Sequence, residues 1–240
     1  MYSGSMEVKA IKTRVFKEGE SLFDFVVEHL SALESGDILA VTSKIVSLAE
    51  NRVSTKSREE IIKEESDFYV QGGKSTITVV NNEIMATAGV DASNADGKLI
   101  LLPKNSFETA DKLRHRLIEK FKLNQLGIII TDSRTIPFRA GAIGKTIGYA
   151  GLRGLKKYAG TPDIFGRKIK RSRQNVADML ASAAILEMSE AAEQKPLAII
   201  KNYQAEFTDK VDPDELKIAF ENELYRPMFT EIDKRFPLNR

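Results

Sequence analysis

Two aspartates have sequence surroundings that favour chemistry over a plain surface role. Asp132 directly follows an apolar run in the stretch GIIITDS, so it is predicted to stand at the end of a buried strand. Asp91 lies among small and polar residues in the stretch AGVDASN, where the backbone can approach a ligand closely. Mg²⁺ and Mn²⁺ prefer carboxylate and hydroxyl oxygens, and Ser133 supplies a hydroxyl beside Asp132. The residues therefore leave two interpretations open, metal ligands or an ordinary polar turn at either aspartate, and the turn is the commoner one for Asp132.

A third group of carboxylates recurs every three residues near the end of a predicted helix, at Glu187, Glu190 and Glu193. Like charges at this spacing repel one another, and carboxylates at a helix C-terminus oppose the helix dipole. A bound cation would relieve the conflict for whichever glutamate points inward. The residues alone do not select it, and a solvated face explains Glu187 and Glu193 adequately.

Phosphate binding is suggested by Gly144, Lys145 and Thr146, which match the end of a P-loop. The full pattern requires a glycine five residues before Gly144, where this chain has Arg139. A true P-loop is therefore disfavoured, whereas a looser glycine-rich loop that lines a phosphate stays open.

Basic side chains supply further candidates for anion binding. Arg139, Lys145 and Arg167 are predicted to hold anionic substrate groups, with Arg139 as a catalytic residue. The basic run at residues 167–173 precedes the predicted long helix, where positive charge is unfavourable without an anionic partner. Nucleic acid is an alternative partner for this run, and a solvated face is its commonest explanation.

The elements that must position these residues follow from apolar patterning. Short apolar runs predict five buried strands, at residues 37–42, 75–80, 98–102, 126–131 and 197–201. A 3.6-residue period predicts helices at residues 23–30 and 113–121, the second capped at Ser106 or Thr109, and a longest helix at residues 171–193. Because strands and helices do not alternate strictly, we expect an α+β fold of two lobes, with mixed sheets and packed helices.

The composition excludes several classes of protein. There is no cysteine, so disulfides, thiolate metal sites and thiol nucleophiles are excluded. The 36 Lys and Arg nearly balance the 34 Asp and Glu, which argues against nucleic-acid and membrane-surface partners. No apolar stretch approaches the ~20 residues of a membrane-spanning helix, and no signal-peptide core is visible. We expect a cytoplasmic enzyme in which the two histidines, His29 and His115, are structural.

The domain organisation is predicted only coarsely. Residues 1–5 look like residual cloning sequence, with Met6 as the natural start. We expect a catalytic domain at residues 6–204 and a C-terminal extension packed on it at residues 205–240.

Five stretches, taken together and in order, resemble a known family. They are GDILAVTSKIVS (residues 36–47), AGVDASN (88–94), IITDS (129–133), DIFGR (163–167) and NVAD (175–178). The chain is similar, from about residue 9 to residue 201, to the γ-glutamyl ligases that elongate the 5-deazaflavin coenzyme and to their relatives proposed to act on folates. The variants TDSRTIPFR (131–139) and EESDFYV (64–70) are more similar to the folate-associated relatives.

The resemblance implies a GTP-dependent, or in some members ATP-dependent, ligase that adds L-glutamate to a carboxylate of a folate-type or deazaflavin acceptor. It also implies two Mn²⁺ or Mg²⁺ ions, K⁺ as an additional ion, and a homodimer. The acceptor carboxylate would be activated as an acyl phosphate, which the glutamate amine attacks with release of phosphate and GDP or ADP.

Site residues follow from the resemblance position by position. It assigns Asp91 and Asp132 to a first metal ion and to catalysis, and Ser133 and Glu190 to a second metal ion. The residues that it places along the nucleotide are Thr13, Arg14, Val15, Phe16, Ser43, Lys44, Asn94, Met188, Ser189, Glu190, Ala191, Ala192, Glu193, Gln194 and Lys195.

This chain departs from the family pattern in three places. Leu48 stands where many relatives carry a basic residue, so Lys44 or another cation must meet the phosphates. Residues 134–139 replace a Gly-Arg-Pro-type turn after the strand-end aspartate, and the loop at residues 188–194 lacks glycine and is predicted to be stiffer.

Two functions from other classes stay open at the level of sequence. One is a P-loop-like nucleotidase, for which Lys145→Ala would abolish nucleotide turnover. The other is a nucleic-acid-binding module that uses residues 167–173, for which binding would be salt-sensitive and independent of metal.

Overall fold

The computed structural model describes residues 4–72 and 75–227. Within them lie five α-helices: α1 (Leu22–His29), α2 (Ser43–Ala49), α3 (Arg58–Glu65), α4 (Ser106–Phe121) and α5 (Val176–Met188). The strands of the same residues are β1 (Glu7–Ile11), β2 (Ile38–Thr42), β3 (Val53–Ser54), β4 (Phe68–Gln71), β5 (Thr76–Val80), β6 (Glu83–Ala86), β7 (Leu99–Ile100), β8 (Gly127–Thr135), β9 (Ala142–Ala150), β10 (Leu155–Lys157), β11 (Arg173–Asn175) and β12 (Leu197–Lys201). Short 3-10 turns occupy Thr87–Gly89 and Phe220–Asn222.

A mixed five-stranded sheet organises the fold, in the order β1-β12-β2-β8-β9. β2 and β8 run parallel, whereas the other three pairings are antiparallel. A separate antiparallel sheet has the order β4-β5-β6, and two ribbons pair β3 with β7 and β10 with β11. The predicted α+β fold with mixed sheets is therefore confirmed.

The central sheet is buried on both faces, which explains why its middle strands read as continuous apolar runs. Ile128 and Ile130 of β8 enter one core together with side chains of α1, α2 and α4. Ile129, between them, enters the opposite core, which α5 covers. A third, smaller cluster joins Ile61 of α3 to Val90 near the 3-10 turn.

The structure corrects the predicted ends of several elements. β8 continues through Asp132 to Thr135, because β9 pairs with it from Ile128 to Thr135, so Asp132 lies within a strand. α5 is shorter than the predicted helix at residues 171–193, since Asn175 caps its start and Ser189, with φ of 66°, ends it. α4 is the longer helix, and Asn105, not Ser106 or Thr109, precedes its first turn.

The carboxylate trio at the predicted helix end is also corrected. Glu187 lies in α5, but Glu190 and Glu193 lie in the loop beyond it. Repulsion along one helical face therefore does not apply to the three together. The loop instead carries Glu190 away from the helix axis toward β8, where its carboxylate meets Ser133.

The structural context excludes a true P-loop, which the sequence already disfavoured. Gly144, Lys145 and Thr146 lie inside β9, where Lys145 is paired with Asp132 and Gly144 with Ser133. A P-loop needs a turn between a strand and a helix N-terminus, which a paired strand does not provide. Gly144 serves packing, since a Cβ there would lie 2.6 Å from the backbone of Ala181 in α5.

The described part of the C-terminal extension lies against the central sheet. Glu215 accepts hydrogen bonds of 2.6 Å from the Tyr149 hydroxyl and from the Gly154 amide. Asp209 forms an ion pair of 2.6 Å with Arg114, which is buried in α4. Residues 1–3 of the predicted cloning remnant and residues 228–240 of the extension lie outside the described residues. No helix in the described ranges has the length and apolar character needed to cross a bilayer.

Candidate active site

A cavity of about 540 Å³ opens at the carboxyl edge of the parallel strands β2 and β8. This edge is where open sheets of parallel strands commonly receive ligands. Thr42 and Thr131 are register partners there, so the next residues of the two strands, Ser43 and Asp132, come together. The Ser43 hydroxyl donates a 3.1 Å hydrogen bond to Asp132 Oδ1.

Asp132 has an environment that penalises its charge. Its side chain is 19% exposed and its Oδ2 has no hydrogen-bond partner among the described residues, although Arg134 Nη1 forms an ion pair with it. Burial raises the pKa of Asp132, and this outweighs the opposing effects of Arg134 and of the Ser43 hydrogen bond. The negative charge of Asp91 raises that pKa further, because the two carboxylates face the same cavity.

The negative charge of Asp91 is compensated by a lysine, Lys44. Lys44 Nζ donates hydrogen bonds of 2.7 Å to Asp91 Oδ2 and 2.8 Å to Ser93 Oγ. The Ser93 amide donates a further 2.6 Å bond to Asp91 Oδ1. Burial alone would raise the pKa of Asp91, but these contacts together hold it below its ordinary value. Asp91 is therefore ionised at neutral pH.

The loop after α5 closes the other side of the cavity. Glu190 Oε1 accepts a 2.5 Å hydrogen bond from the Ser133 hydroxyl. The backbone carbonyl of Gln194 accepts a hydrogen bond of 2.9 Å from the Thr13 amide. The side-chain amide of Asn94 donates a hydrogen bond of 3.3 Å to the carbonyl of Ala191. The loop is thus tied to three separate segments of the site.

The segment after β1 forms a further wall. Phe16 is buried and packs edge-on against Phe25 of α1, with ring centroids 4.8 Å apart. The Arg14 guanidinium forms ion pairs with Glu20 and Glu28, the second with an N–O distance of 2.8 Å. The Arg14 amide donates to His29 Nε2 at 3.3 Å, so His29 has a structural contact with this segment.

Every residue that the resemblance assigned to nucleotide or metal lines this cavity. Arg139, predicted to be catalytic, does not, because it lies exposed in the turn between β8 and β9. Arg167 is also outside it, at 80% side-chain exposure and 3.5 Å from Asp163. Lys145 lies on a second cavity, against Glu83 at 2.9 Å.

Arg134 is the site residue that sequence reasoning missed. It is two positions after Asp132 on a strand, and such residues project to the same side of the sheet. Had β8 been extended past Asp132, this alternation would have identified Arg134 as the partner of the aspartate.

The donor atoms suit a hard divalent cation, but the carboxylates are occupied by protein cations. Among the described residues, no group of three or more His, Cys, Asp or Glu side chains is arranged to hold a metal ion. Lys44 neutralises Asp91 and Arg134 neutralises Asp132. Asp132 Oδ2, which has an ion-pair contact but no hydrogen bond, is nevertheless an oxygen ligand of the type that Mg²⁺ and Mn²⁺ prefer, and so are the Ser133 hydroxyl and Glu190.

A cavity of this size, with paired carboxylates and cations at the ends of parallel strands, defines a small-molecule site suited to polar and phosphorylated ligands. The family model for F420-0:Gamma-glutamyl ligase matches residues 10–64 and 55–202. The chain therefore belongs to the F420-0:gamma-glutamyl ligase family, and the resemblance drawn from its motifs is confirmed.

Similar proteins carry names of the same kind. The coenzyme F420:L-glutamate ligase of Methanocaldococcus jannaschii is 33% identical, over 84% of this chain and 90% of its own length. That of Methanopyrus kandleri is 34% identical, over 80% of this chain and 85% of its own length. That of Archaeoglobus fulgidus is 28% identical, over 78% of this chain and 83% of its own length.

Proposed function

We propose that this chain joins the amine of L-glutamate to a carboxylate of an F420-type acceptor, at the expense of a nucleoside triphosphate. The observation that carries the proposal is the convergence of Asp91, Asp132, Lys44 and Arg134 on one cavity in a member of this ligase family. Opposite charges brought together at a ligand site can meet both phosphate oxygens and the cations that accompany them.

The cavity is assigned to the nucleotide, GTP or ATP. Its volume of about 540 Å³ falls within the range of about 300–1,000 Å³ that is usual for small-molecule sites. The loop at residues 188–196 and the segment at residues 13–16 offer backbone and side-chain polar groups on facing walls. Lys44 can turn from Asp91 to a phosphate. It can therefore supply the positive charge that many relatives carry at the position of Leu48.

Asp91, Asp132, Ser133 and Glu190 would hold the two divalent ions, Mn²⁺ or Mg²⁺. When bound, such ions neutralise phosphate oxygens and align the attacking and leaving groups. The chain's own part is to supply carboxylate oxygens, to release Lys44 and Arg134 as counter-ions, and to keep water out behind the loop at residues 188–196. Removing divalent ions with EDTA should abolish turnover, and adding Mn²⁺ or Mg²⁺ should restore it.

The reaction proceeds through an acyl phosphate. The acceptor carboxylate takes the terminal phosphoryl group, and the nucleoside diphosphate leaves. The glutamate nitrogen then attacks the activated carbonyl carbon, and phosphate leaves as the amide forms. The ammonium group of glutamate loses one proton before the attack and a second as the amide forms. One of these goes to the departing phosphate and the other to solvent, and the third stays as the amide N–H. Positioning and electrostatic stabilisation dominate such chemistry, so no cysteine or histidine nucleophile is required.

The test is a turnover assay with product identification. Purified protein is incubated with Mn²⁺ or Mg²⁺, L-glutamate, GTP or ATP, and either F420-0 or tetrahydrofolate. We expect one acceptor to gain the mass of a glutamyl residue, with matched release of phosphate. Phosphate release with both acceptors unmodified would replace the ligase with a nucleotidase, and a product on tetrahydrofolate alone would reassign the acceptor.

A further inference from the structure

The backbone just before Asp91 has an unusual conformation. Thr87, Ala88 and Gly89 have φ values of 50°, 52° and 71°, so three successive residues are left-handed. This conformation is costly for residues that carry a Cβ, above all for a β-branched threonine. Strained segments of this kind persist only where the surrounding structure fixes them, and they cluster at functional sites. The turn at residues 87–89 therefore depends on contacts that hold it.

This turn forms part of the wall of the cavity assigned to the nucleotide. Thr87 and Gly89 line that cavity, and so do Val90 and Asp91, which follow them. Asp91 is fixed by β7, because its amide and carbonyl both bond to Ile100, at 2.9 and 2.7 Å. The turn is the other attachment of this segment, so its conformation determines how the chain enters Asp91 and how the wall beside it is shaped.

A buried hydroxyl on a neighbouring strand holds the turn. Thr78 lies in the middle of β5, and its Oγ1 accepts a hydrogen bond of 2.9 Å from the Ala88 amide. The same hydroxyl donates a hydrogen bond of 2.9 Å to the carbonyl of Met85 in β6. Thr78 is fully buried, so it can affect a bound ligand only through the segment that it holds.

Apolar packing also contributes to the turn, but it does not fix the direction of the Ala88 amide. Ala88 and Val90 pack in one cluster with Ile61 of α3. Such contacts are not directional, whereas a hydrogen bond restricts the direction of its donor. Because a buried amide without a partner is costly, loss of the Thr78 hydroxyl would favour conformations in which the Ala88 amide turns elsewhere.

We propose that Thr78 is a positioning residue of the ligase site, which holds the turn at residues 87–89 in the conformation that receives the nucleotide. The inference rests on the proposed function and adds a residue of the sheet β4-β5-β6 on which that site depends. Without the hydroxyl, the turn occupies its left-handed conformation for a smaller fraction of the time. The apparent affinity for the nucleotide then falls with that fraction, whereas the rate at saturation is kept.

Thr78→Val tests the inference, because it removes the hydroxyl and nearly keeps the shape of the side chain. An unpaired buried amide corresponds to roughly 5- to 150-fold in an equilibrium constant. We expect GTP to bind about tenfold more weakly in the presence of Mn²⁺, with kcat within about twofold of wild type and an unchanged KM for L-glutamate. Thr78→Ser keeps the hydroxyl and should restore the affinity.

Thr76→Val is the matched control. Thr76 lies two positions earlier on the same strand, and its hydroxyl bonds to the Gln71 side chain at 3.1 Å, away from the turn. Removing this hydroxyl should leave GTP binding at the wild-type value. Thermal unfolding checks that each variant is folded at the temperature of the assay.

Hydrogen exchange of the amides at residues 86–91 is a readout apart from turnover. Exchange in this segment should be faster in Thr78→Val than in the wild type, because the turn opens more often. In the wild type, GTP with Mn²⁺ should slow exchange in the same segment. This second comparison needs no variant, so an unchanged exchange rate would overturn the inference even if Thr78→Val did not fold.

Calorimetric titration of a non-hydrolysable GTP analogue with Mn²⁺ into the wild type and the three variants completes the test. Weaker binding in Thr78→Val alone supports the inference, even if no glutamyl product forms. Equal binding in Thr78→Val and the wild type would overturn the inference and leave the proposed function intact. A wild type that does not bind the analogue would overturn both.

Discussion

At the scale of single residues, the site consists of two aspartates that are each paired with a protein cation. Asp132 and Asp91 are both close enough to a protein cation to be neutralised, but burial dominates at Asp132 and the Lys44 contacts prevail at Asp91. The two carboxylates are therefore tuned in opposite directions within one cavity. Such divergence is common at functional sites, where one group must accept a cation more readily than its neighbour.

Asp132→Asn is predicted to lower turnover by at least about 100-fold, the usual effect of removing one preorganised electrostatic group. The amide keeps the shape of the side chain but loses the charge that faces Arg134 and that, in the proposed reaction, would hold a divalent ion. The rate of glutamyl product formation would be measured beside circular dichroism, which checks folding. Asp111→Asn, on the exposed side of α4 at 52% exposure, should leave the rate unchanged.

At the scale of elements, β8 shows what the sequence could and could not predict. The run Ile128, Ile129 and Ile130 has no period, and it correctly indicated a strand buried on both faces. The same run suggested that the strand stops where polarity begins. Pairing with β9 carries it on through Asp132, Ser133 and Arg134, and this depends on a partner far along the chain.

The predicted end of α5 was wrong for a related reason. Glu190, Ala191, Ala192 and Glu193 are good helix formers and suggest that the helix continues past residue 188. Contacts with Ser133, Thr13 and Asn94 instead hold these residues in a loop. Helix propensity is a property of the local sequence and does not reflect such contacts. The residues that line the first cavity were predictable from the resemblance, apart from Arg139, which lies outside it. Arg134 was missed because its position depends on the extension of β8 by pairing with β9.

Gly144→Ala tests the close packing of β9 on α5. The added Cβ would lie 2.6 Å from the carbonyl carbon and oxygen of Ala181, so backbone must move. We expect a loss of about 1–3 kcal/mol in the free energy of unfolding, as is typical of overpacking. Urea denaturation would measure it, with Ile143→Ala on the same strand, 45% exposed, as the tolerated comparison.

The ion pairs of the β1–α1 connection predict a pH dependence. The Arg14 hydrogen bonds lower the pKa of Glu20 from 4.5 to about 2. A lowered folded-state pKa stabilises the protein above the unfolded value, and that contribution is lost as the pH falls from about 4.5 toward 2. Glu20→Gln should therefore be less stable than wild type at pH 7, and the difference should close across this window.

Thermal unfolding of both proteins from pH 7 to pH 2 would check this. A difference that stays constant with pH would mean that Glu20 acts through packing and not through its charge.

At the scale of the whole molecule, one sheet separates two cores and carries the cavity at its edge. Adjacent isoleucines of β8 enter opposite cores, so each core contributes separately to the stability of the platform beneath the site. The extension at residues 205–227 contacts the same sheet through Glu215 and contacts α4 through Asp209. Loss of either core should thus disturb the site as well as the fold.

Ile129→Ala and Ile130→Ala are each predicted to cost about 2–5 kcal/mol in unfolding free energy, the usual range for a buried isoleucine. The two changes lie on opposite faces of one strand, so they test the two cores independently. Chemical denaturation of each variant measures the cost. A value under about 1 kcal/mol for either would show that its face is not a packed core.

The most direct test of the account is the mass of the acceptor after incubation with L-glutamate, GTP or ATP, and Mn²⁺ or Mg²⁺, in three parallel reactions. These contain the wild type, Asp132→Asn and Asp111→Asn. We predict a glutamyl mass increment on F420-0 with the wild type and Asp111→Asn, and none with Asp132→Asn. An unmodified acceptor with the wild type, or full conversion by Asp132→Asn, would contradict it.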